Sequence, residues 1–573
     1  MTGKVLFDDI VGRVPIIFGI TGHRDIVDDD VTRVKEHVKG LLLNYRSRFP
    51  QTPIIFVSPL AEGVDQIAAA AALEIEGVRL AAILPMPQKE YVKDFLLPKH
   101  RVSFRQLLAK ASWIHVTGFD LSNRDKLYRD CGRKVASIAH ILIVAWNRFD
   151  NKKLGGAADT VKFKLQGCID YSSPRLNDEE KYLSRNETGL VLDIPIRRRS
   201  EPSIDPGEKA HWLYATGQSG DLNFDSKLDE LDFPDDAVSL LIDQFNSEGA
   251  TSLAQSNSSY TSLLFCRADL LAQHYQAYSR GVIRSLFASA IFVALLNPFN
   301  RDGHSTQSIM LEVFAIFIMW ALWYYGHKKR LKDRYEDYRS LAEAARVQFA
   351  WQRSGIKAQV ADSYLSAQTG DLDWLRRAVR SLHAVDLWSG HIRGKPSRQD
   401  LQKVIDEWLA GQFNYYHGAS TKNGGKILQL AKDAIRLEKY TKIFLAAGIA
   451  ILGISRISSL KDYLPVDLYV SFGLYFFEGL DWAPYLATLS LALAASLKAY
   501  GEVMGFGPVS RRYQSMAVVL GRSIEAFTHI EREVRSSSLT EVQNLFLVVG
   551  LEALAENGEW IITHRQKDIK PPA

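Results

Sequence analysis

Roughly the first 170 residues alternate short apolar runs with longer amphipathic segments. The apolar runs, rich in β-branched and aliphatic residues, predict strands at Ile16–Ile20, Ile54–Ser58, Leu80–Leu84, Trp113–Thr117 and Ile141–Trp146. The segments between them predict helices at Val31–Arg48, Gly63–Gly77, Tyr91–Leu97, Arg101–Lys110 and Arg129–Ala139. This alternation predicts an α/β fold, a Rossmann-like parallel sheet with helices on both faces.

From about Tyr260 the pattern becomes helical and then strongly apolar. Uncharged runs predict one helical hairpin from Ser285–Phe299 and Val313–Gly326, and a second from Ile443–Ser455 and Trp482–Leu497. Each run is shorter than the roughly 20 residues that cross a bilayer. Basic residues nevertheless flank the first pair on its outer ends, which favours an all-α membrane region with both termini in the cytosol. The alternative is a soluble helical bundle in which the hairpins are buried.

These patterns divide the chain into five predicted regions. Residues 1–200 form the sheet domain, and residues 201–258 form an extension and linker. Residues 259–352 form a helical unit whose hairpin covers about 281–299 and 307–326. Residues 353–430 form a cytosolic helical segment, and 431–573 form a second helical unit with a hairpin at about 442–457 and 482–498. Similar flanking helices suggest that one unit of helix, hairpin and helix is duplicated.

Composition excludes several classes of protein. A net charge of +5 over 573 residues gives no basic stripe for nucleic acid. Cys131, Cys168 and Cys266 lie far apart without C-x-x-C spacing, so neither a metal site nor a disulfide framework is predicted. No apolar core of signal-peptide length precedes the first strand, so we expect the sheet domain to stay in the cytosol.

Small and polar residues follow four of the five predicted strands. They are Gly19 to Asp25, Ser58 to Asp65, Pro85 with Tyr91 and Asp94, and Asn147 to Val161. The carboxyl ends of parallel strands share one edge of a sheet, and ligands bind there. Glycine turns at that edge let a phosphate approach backbone N–H groups. The first turn matches neither G-x-G-x-x-G nor G-x-x-x-x-G-K-[ST], so it is not a dinucleotide fingerprint or a P-loop.

Four motifs in order carry a resemblance to a known group. They are G-x-T-G-H-R-D, S-x-L-A-E-G-x-D-x-x-A, L-P with Y-x-x-D-F, and W-x-x-x-D-x-x-x-x-G-G-x-A-D-x-V, within about residues 14–175. Together they resemble the SLOG superfamily, Rossmann-like proteins that bind nucleotide-derived ligands. The resemblance implies a ligand site made of Gly19, Thr21, Gly22, His23, Arg24, Ser58, Leu60, Glu62, Gly63, Asp65, Asn147, Gly155, Gly156 and Asp159.

The resemblance also assigns roles within that site. His23 and Arg24 would face the anionic part of the ligand, and Glu62, Asp65 or Asp159 would accept from ribose hydroxyls. No catalytic residue, metal ligand or other cofactor is implied. The hydrolase branch carries P-G-G-x-G-T-x-x-E, whereas this chain reads L-G-G-A-A-D-T-V, which favours a sensor over an enzyme.

The helical regions at roughly 260–352 and 405–565 resemble the SLATT family, membrane effector domains of bacterial conflict systems. The two resemblances together imply an anti-phage defence effector. A nucleotide second messenger, either a cyclic oligonucleotide or an ADP-ribose derivative, would make the chain oligomerise and form a pore or disrupt the membrane, causing abortive infection. The expected partners are the messenger, a lipid bilayer, further copies of the chain and a separate messenger-producing enzyme, but no nucleic acid. The expected location is the inner membrane of a bacterium.

Two other functions stay open at this point. The same cleft would serve a membrane-tethered nucleotide or ADP-ribose glycohydrolase with Glu62, Asp65 or Asp159 as its acid–base carboxylate. A membrane scaffold without nucleotide affinity is the third possibility. The basic run Arg197–Arg199 is predicted to be a solvated edge.

Overall fold

The structure, a computed structural model, describes most of the chain in twelve stretches. They are residues 10–149, 154–166, 189–201, 209–213, 236–249, 259–296, 306–364, 372–388, 395–418, 425–458, 483–533 and 539–565. The chain divides into two compact units. The first comprises Met1–Ala268 with Leu341–Pro396, and the second comprises Asp269–Ser340 with Ser397–Ala573.

A seven-stranded sheet forms the centre of the first unit. Its strands are β1 (Ile16–Gly22), β2 (Ile54–Ser58), β3 (Val78–Leu84), β4 (Trp113–Val116), β5 (Ile141–Trp146), β6 (Leu190–Pro195) and β7 (His211–Leu213). They lie in the order β4-β3-β2-β1-β5-β6-β7, and every neighbouring pair is parallel except β6 with β7. Strands β2 and β5 are buried along their whole length, which explains their continuous apolar sequences. The predicted Rossmann-like sheet is confirmed.

Helices flank this sheet between its parallel strands. They are α1 (Asp28–Arg48), α2 (Val64–Leu73), α3 (Gln88–Tyr91), α4 (Pro98–Lys110), α5 (Arg124–Ile138) and α6 (Ala157–Gln166). The predicted helix at Tyr91–Leu97 is wrong, because α3 ends at Tyr91 and a 3-10 turn covers Val92–Asp94. Pro98 explains the break, since it opens α4 and Leu97 before it is extended.

Three elements that the sequence did not predict complete the sheet domain. Strands β6 and β7 extend the sheet beyond β5, and α7 (Asp236–Ser247) lies near the start of β1. The side chain of Asn246 on α7 accepts the N–H of Val14 at 2.8 Å and donates to its carbonyl at 2.8 Å. Asp243 accepts from the Thr52 hydroxyl at 2.8 Å. Helix α7 is therefore fixed to the edge of the sheet where β1 and β2 begin.

The rest of the described chain is helical. The helices are α8 (Tyr260–Leu296), α9 (Thr306–Lys328), α10 (Leu331–Arg353), α11 (Asp373–Trp388), α12 (Arg398–Val404), α13 (Gly411–His417), α14 (Lys426–Ser458), α15 (Ala483–Met504), α16 (Phe506–Glu533) and α17 (Leu539–Arg565). A 3-10 turn covers Val360–Asp362 and a π-helical segment covers Ile405–Ala410. Helix α8 begins in the first unit and ends in the second, and α10 does the reverse. An α/β domain is thus followed by an all-α region, as predicted.

Helix α8 starts from a fixed position in the first unit. Asp386 of α11 is fully buried and accepts the backbone N–H groups of Tyr260 and Thr261 at 2.7 and 3.0 Å. A carboxylate at a helix start satisfies N–H groups that have no partner within the helix. Two turns later, Arg267 donates to the carbonyl of Asn246 at 2.8 Å, at the end of α7. The first turns of α8 are therefore part of the sheet domain.

In the second unit, small residues and ion pairs join the helices. Helices α14 and α15 form a close antiparallel pair, since a Cβ at Gly448 would lie only 2.8 Å from Leu491. Elsewhere, Lys332 at the start of α10 donates to the carbonyl of His564 on α17 at 2.7 Å. Arg565 bonds Asp337 on the same pair of helices. The end of α17 is thus fixed to the segment that follows α9.

Two helices of the described chain are long and apolar enough to cross a membrane. They are Tyr260–Leu296 and Ile309–Arg353, the second of which runs through α9 into α10. Only 11% and 6% of their apolar windows are buried, so burial in a protein core does not account for them. Helices α14 and α15 are not among the two, and their crossing stays a prediction. The predicted hairpin turns, at about 300–306 and 458–481, fall almost entirely in residues 297–305 and 459–482, which lie outside the described residues.

Candidate functional site

The loops that follow β1 and β2 are fixed against each other at the carboxyl edge of the sheet. The N–H of His23 donates to the backbone of β5 at 3.1 Å, and its carbonyl accepts the N–H of Val64 at 3.1 Å. Gly63 has a φ of +85°, and a Cβ there would overlap the carbonyl of Arg24. A Cβ at Gly22 would lie 2.5 Å from the Val64 side chain. Both glycines are therefore required by the close approach of two chain segments.

The side chain of His23 belongs to a short chain of hydrogen bonds. Its Nε2 lies 2.8 Å from Oδ1 of Asn147, whose Nδ2 donates to Glu201 at 2.9 Å. Because Oδ1 can only accept, His23 carries a hydrogen on Nε2. Burial lowers the pKa of His23, although the bond to Asn147 opposes this. A neutral His23 with its Nε2 engaged offers no positive charge to a phosphate, which leaves that role to Arg24.

Three consecutive arginines after β6 pair with three aspartates between β1 and the first turn of α1. The pairs are Arg197 with Asp30 at 3.1 Å, Arg198 with Asp25 at 2.9 Å, and Arg199 with Asp28 at 2.5 Å. We call these six residues the arginine clasp. The backbones join too, through an isolated antiparallel bridge between Ile26 and Arg198. The predicted solvated edge is wrong for Arg197 and Arg198, because both are half-buried in ion pairs.

The clasp also alters the acidity of Asp25. Burial alone would raise the pKa of this carboxyl, but hydrogen bonds from Arg198 and Ser200 lower it to about 2. Asp25 is therefore ionised at neutral pH and holds the chain after β6 against the loop that carries Arg24.

Arg24 is an exposed residue whose guanidinium lies over an aromatic ring. Its guanidinium carbon is 5.1 Å from the centroid of Tyr128, at the start of α5. Tyr128 donates to Asp94 at 2.5 Å, and Asp94 also accepts from Arg124 at 2.7 Å. Burial and the bond to Asp94 raise the pKa of Tyr128 to about 12, so this hydroxyl stays protonated. Arg24 also donates a hydrogen bond to the Tyr128 hydroxyl, and the remaining N–H groups of its guanidinium suit a carboxylate or phosphate.

Two buried polar atoms beside Arg24 have no hydrogen-bond partner, Asp65 Oδ1 and Tyr91 Oη. Their residues are 4% and 0% exposed. Burial raises the pKa of Asp65 to about 8, against the backbone hydrogen bond from Ala61 and the charge of Arg24. Burial also raises the pKa of Tyr91 well above its usual value, again against Arg24. Since most buried polar groups have partners, these two require an explanation.

Other predicted residues after β2 shape the loop. The Ser58 hydroxyl accepts the N–H of Leu60 at 3.0 Å and donates to the carbonyl of Asp65 at 3.2 Å. Leu60 is fully buried with a φ of 56°, a left-handed conformation that this bond stabilises. Glu62 accepts the N–H of Leu96 at 3.0 Å and so joins this loop to the one after β3.

The turn after β5 lies beside Tyr128, at the same carboxyl edge of the sheet. Gly155 has a φ of +73°, and a Cβ there would lie 2.9 Å from the Tyr128 side chain. Asp159, in the first turn of α6, accepts the N–H of Gly155 at 2.9 Å, and Gly156 accepts the N–H of Thr160 at 3.1 Å. The loops after β1 and β5 therefore meet at Tyr128. Residues 150–153 of this loop lie outside the described residues.

The structure brings most of the predicted site residues to one edge of the sheet. They are Thr21, Gly22, His23, Arg24, Ser58, Leu60, Glu62, Gly63, Asp65, Asn147, Gly155, Gly156 and Asp159. Gly19 lies apart, inside β1, where a Cβ would meet Ala139 at 2.8 Å and Val135 at 3.1 Å. A glycine at this position allows α5 to pack closely on the sheet. No group of three or more metal-ligating side chains occurs in the described stretches.

Several residues of this edge were not predicted as site residues. Tyr91 and Asp94 stood in the Y-x-x-D-F pattern and among the polar residues after the third predicted strand, but neither was named as a ligand contact. Tyr128 and Arg124 carried no such signal, since a tyrosine in the first turns of an amphipathic helix is ordinary. Glu201 could not be predicted from the sequence either, because its hydrogen-bond partner Asn147 is far away in the chain.

Comparison with known proteins adds no family to this description. Models of known protein families give no match to the chain, and neither do curated protein sequences. The resemblances to the SLOG and SLATT families therefore stay predictions from the motifs.

What the arrangement can do chemically follows from its parts. It holds one exposed guanidinium on an aromatic ring, glycine turns at two neighbouring loops, and two buried oxygen atoms without partners. It lies outside the carboxyl ends of β1 and β5, where the order of the strands reverses, and such a crevice is the usual ligand position in open α/β sheets. This combination suits a small anionic molecule that also carries hydroxyl groups.

Proposed function

We propose that the first unit is a receptor for a nucleotide-derived second messenger and that the helices of the second unit act on a membrane when the messenger is bound. The observation that carries this proposal is the cluster of Arg24, Tyr128, Asp65 and Tyr91 at the point where the strand order reverses. Its exposed cation and its unpartnered buried oxygens suit a phosphate next to a sugar. The SLOG-like motifs support the same class of ligand.

The path of the chain supports the effector part. Helix α8 starts inside the sheet domain at the Asp386 cap and continues into the first apolar segment. A ligand shifts such a system only if it binds one conformation or assembly better than the other. A messenger held between two sheet domains meets that condition, because it stabilises an oligomer and not the monomer. The output is a pore or a membrane defect in an infected bacterium, at the inner membrane with the sheet domain in the cytosol.

The proposal is tested with the full chain purified in detergent. It is mixed with cyclic di-AMP, cyclic di-GMP, longer cyclic oligonucleotides and ADP-ribose isomers, and the melting temperature, oligomer size and ligand integrity are measured together. We expect one ligand to raise the melting temperature and the oligomer size and to be recovered intact. Arg24→Ala should lower the affinity for that ligand by about tenfold or more, since a charge-assisted hydrogen bond contributes about 1.5–3 kcal/mol.

Arg105→Ala, at an exposed arginine on α4, is the matched control and should bind normally. Equal binding by wild type and Arg24→Ala would place the site elsewhere. No response to any ligand would favour the alternative function, a membrane scaffold without nucleotide affinity.

A glycohydrolase is the second candidate, and one observation favours it. The pKa of Asp65 is raised to about 8 by burial, and a carboxyl that stays protonated at neutral pH can serve as a general acid. Consumption of the ligand in the same experiment, abolished by Asp65→Asn, would establish this activity.

A further inference from the structure

Several basic residues of the second unit lie at one level, where the apolar segments of α8 and α9 border on polar sequence. A Cβ at Gly326 would lie 3.2 Å from the Val282 side chain, so α8 and the end of α9 are packed side by side here. The basic residues on either side of this contact are Arg280 and Arg284 on α8, and Lys328 and Lys329 where α9 ends. We call these four residues the basic collar.

Among the described residues, no acidic side chain forms an ion pair with any member of the collar. The next two basic residues along the chain are paired, by contrast. Arg330 lies 3.0 Å from Asp333, and Lys332 lies 3.9 Å from Glu336. Cations that are close together without acids repel one another, so a bound anion would stabilise them.

A third helix adds positive charge at this level. Burial lowers the pKa of Lys426, at the start of α14, and the charge of Arg280 lowers it further, whereas Asp433 opposes both. Lys426 therefore lies near Arg280, and the positive potential at the collar comes from α8, α9 and α14 together.

The surface beside the collar is apolar and exposed. Its large side chains include Phe292 and Leu295 on α8 and Trp320 and Tyr324 on α9. Lys328 Nζ lies 5.6 Å from the ring centroid of Tyr324, one turn into this surface. Cations at the border of a lipid-facing surface suit an anionic headgroup whose acyl chains extend along the helices.

We propose that the basic collar binds the phosphate groups of anionic phospholipids and that these lipids stabilise the folded second unit. This inference rests on the proposed membrane function and names the class of lipid that it uses. A zwitterionic phospholipid carries its own cation, so it leaves the charge of the collar uncompensated. Free phosphate has no acyl chains to cover the neighbouring apolar surface.

The first test follows thermal unfolding of the full chain in a neutral detergent with added lipid. Palmitoyl-oleoyl phosphatidylglycerol should raise the melting temperature, whereas phosphatidylcholine with the same acyl chains, and inorganic phosphate, should not. Raising the salt concentration from about 0.1 M to about 1 M should remove most of the effect, because the Debye length falls from about 10 to about 3 Å.

Two results of this test would overturn the proposal. Equal stabilisation by the two lipids would show that the collar serves only to orient the helices during insertion. Equal stabilisation by inorganic phosphate and phosphatidylglycerol would show an anion site that needs no lipid.

The second test removes charge from the collar. Arg284→Gln combined with Lys329→Gln should raise the phosphatidylglycerol concentration at half of the stabilisation by roughly thirtyfold, because each cation near an anionic surface contributes about fivefold in affinity. Arg105→Gln combined with Lys110→Gln removes two exposed cations from α4 and should respond as wild type does. Arg284→Lys combined with Lys329→Arg keeps both charges and should keep the response. A wild-type response in the neutral collar variant would contradict the proposal.

The outcomes separate this inference from the function beneath it. If the neutral collar variant does not reach the membrane fraction, the comparison of lipids and the salt dependence in wild type still decide the proposal. A response to phosphatidylglycerol would stand whether or not any nucleotide binds the first unit. A wild-type chain that purifies without detergent and responds to neither lipid would overturn the membrane function and this inference together.

Discussion

At the scale of single residues, the site depends on glycines that let two backbones meet. Gly63 combines a φ of +85° with a position where a Cβ would overlap the Arg24 carbonyl. An alanine there meets both a strained backbone conformation and a steric clash. The clash falls on the residue whose guanidinium we assign to the ligand, so stability and binding should fail together at this position.

Gly63→Ala should therefore lower the free energy of unfolding by about 2 kcal/mol or more. The matched control is Gly40→Ala in the exposed interior of α1, where a Cβ would meet nothing within 4 Å. That variant should gain about 1 kcal/mol, because alanine favours helix over glycine. Denaturant titration of both variants measures the difference. A harmless Gly63→Ala would mean that the loop after β1 is free to move away.

At the scale of elements, the arginine clasp joins the segment after β6 to the loop after β1. Asp25 has its pKa lowered to about 2, so its charge stabilises the folded state above its unfolded pKa of about 4. That contribution is lost as the pH falls from about 4 towards 2. The ion pair of Asp25 in the arginine clasp should therefore stabilise the fold at neutral pH and lose this effect in acid.

Arg198→Ala tests this pH dependence. The variant should be about 1 kcal/mol less stable than wild type at pH 6, and the difference should shrink as the pH approaches 2. Thermal unfolding across that pH range measures it, with Arg105→Ala as a surface arginine outside the clasp. A difference that stayed constant with pH would show that Arg198 acts through packing and not through the charge of Asp25.

At the scale of the whole molecule, the apolar exterior of α9 is the clearest sign of a membrane. Phe314, Phe317 and Trp320 are 60%, 59% and 52% exposed. Side chains of this size rarely lie open to water in such a row. Trp323 stacks on His327 near the end of the helix, where aromatic and basic residues suit a headgroup region.

Phe317→Arg should therefore impair insertion, since an arginine at the centre of a spanning helix costs about 2.5–3.5 kcal/mol or more. Membranes from cells that make the variant are extracted with alkaline carbonate, and we expect a larger released fraction than in wild type. Leu43→Arg, at an exposed leucine of α1, introduces the same charge outside the apolar helices and should fractionate as wild type. Retention of Phe317→Arg in the carbonate pellet would argue against this span.

The sequence predicted the architecture better than the partners of its side chains. Strands β1 to β5 were visible because each is a short apolar run bounded by polar turns, and that signal is local. Strands β6 and β7 were not predicted, because the long stretches of sequence around them show no hydrophobic periodicity. The cap of α8 was not predicted either, since Asp386 and Tyr260 are 126 positions apart in the sequence. The site edge followed from parallel-sheet topology, whereas the stacking of Arg24 on Tyr128 needed coordinates.

The first unit is assembled from two separate pieces of chain, and most of α8 and all of α9 are encoded between them. During synthesis the ribosome must therefore release α8 and α9 before it makes α11, whose Asp386 caps the start of α8. At ordinary elongation rates this interval is on the order of ten seconds. If the two apolar helices insert into a membrane as proposed, they reach the insertion machinery while the first unit is still incomplete, and that unit closes only afterwards.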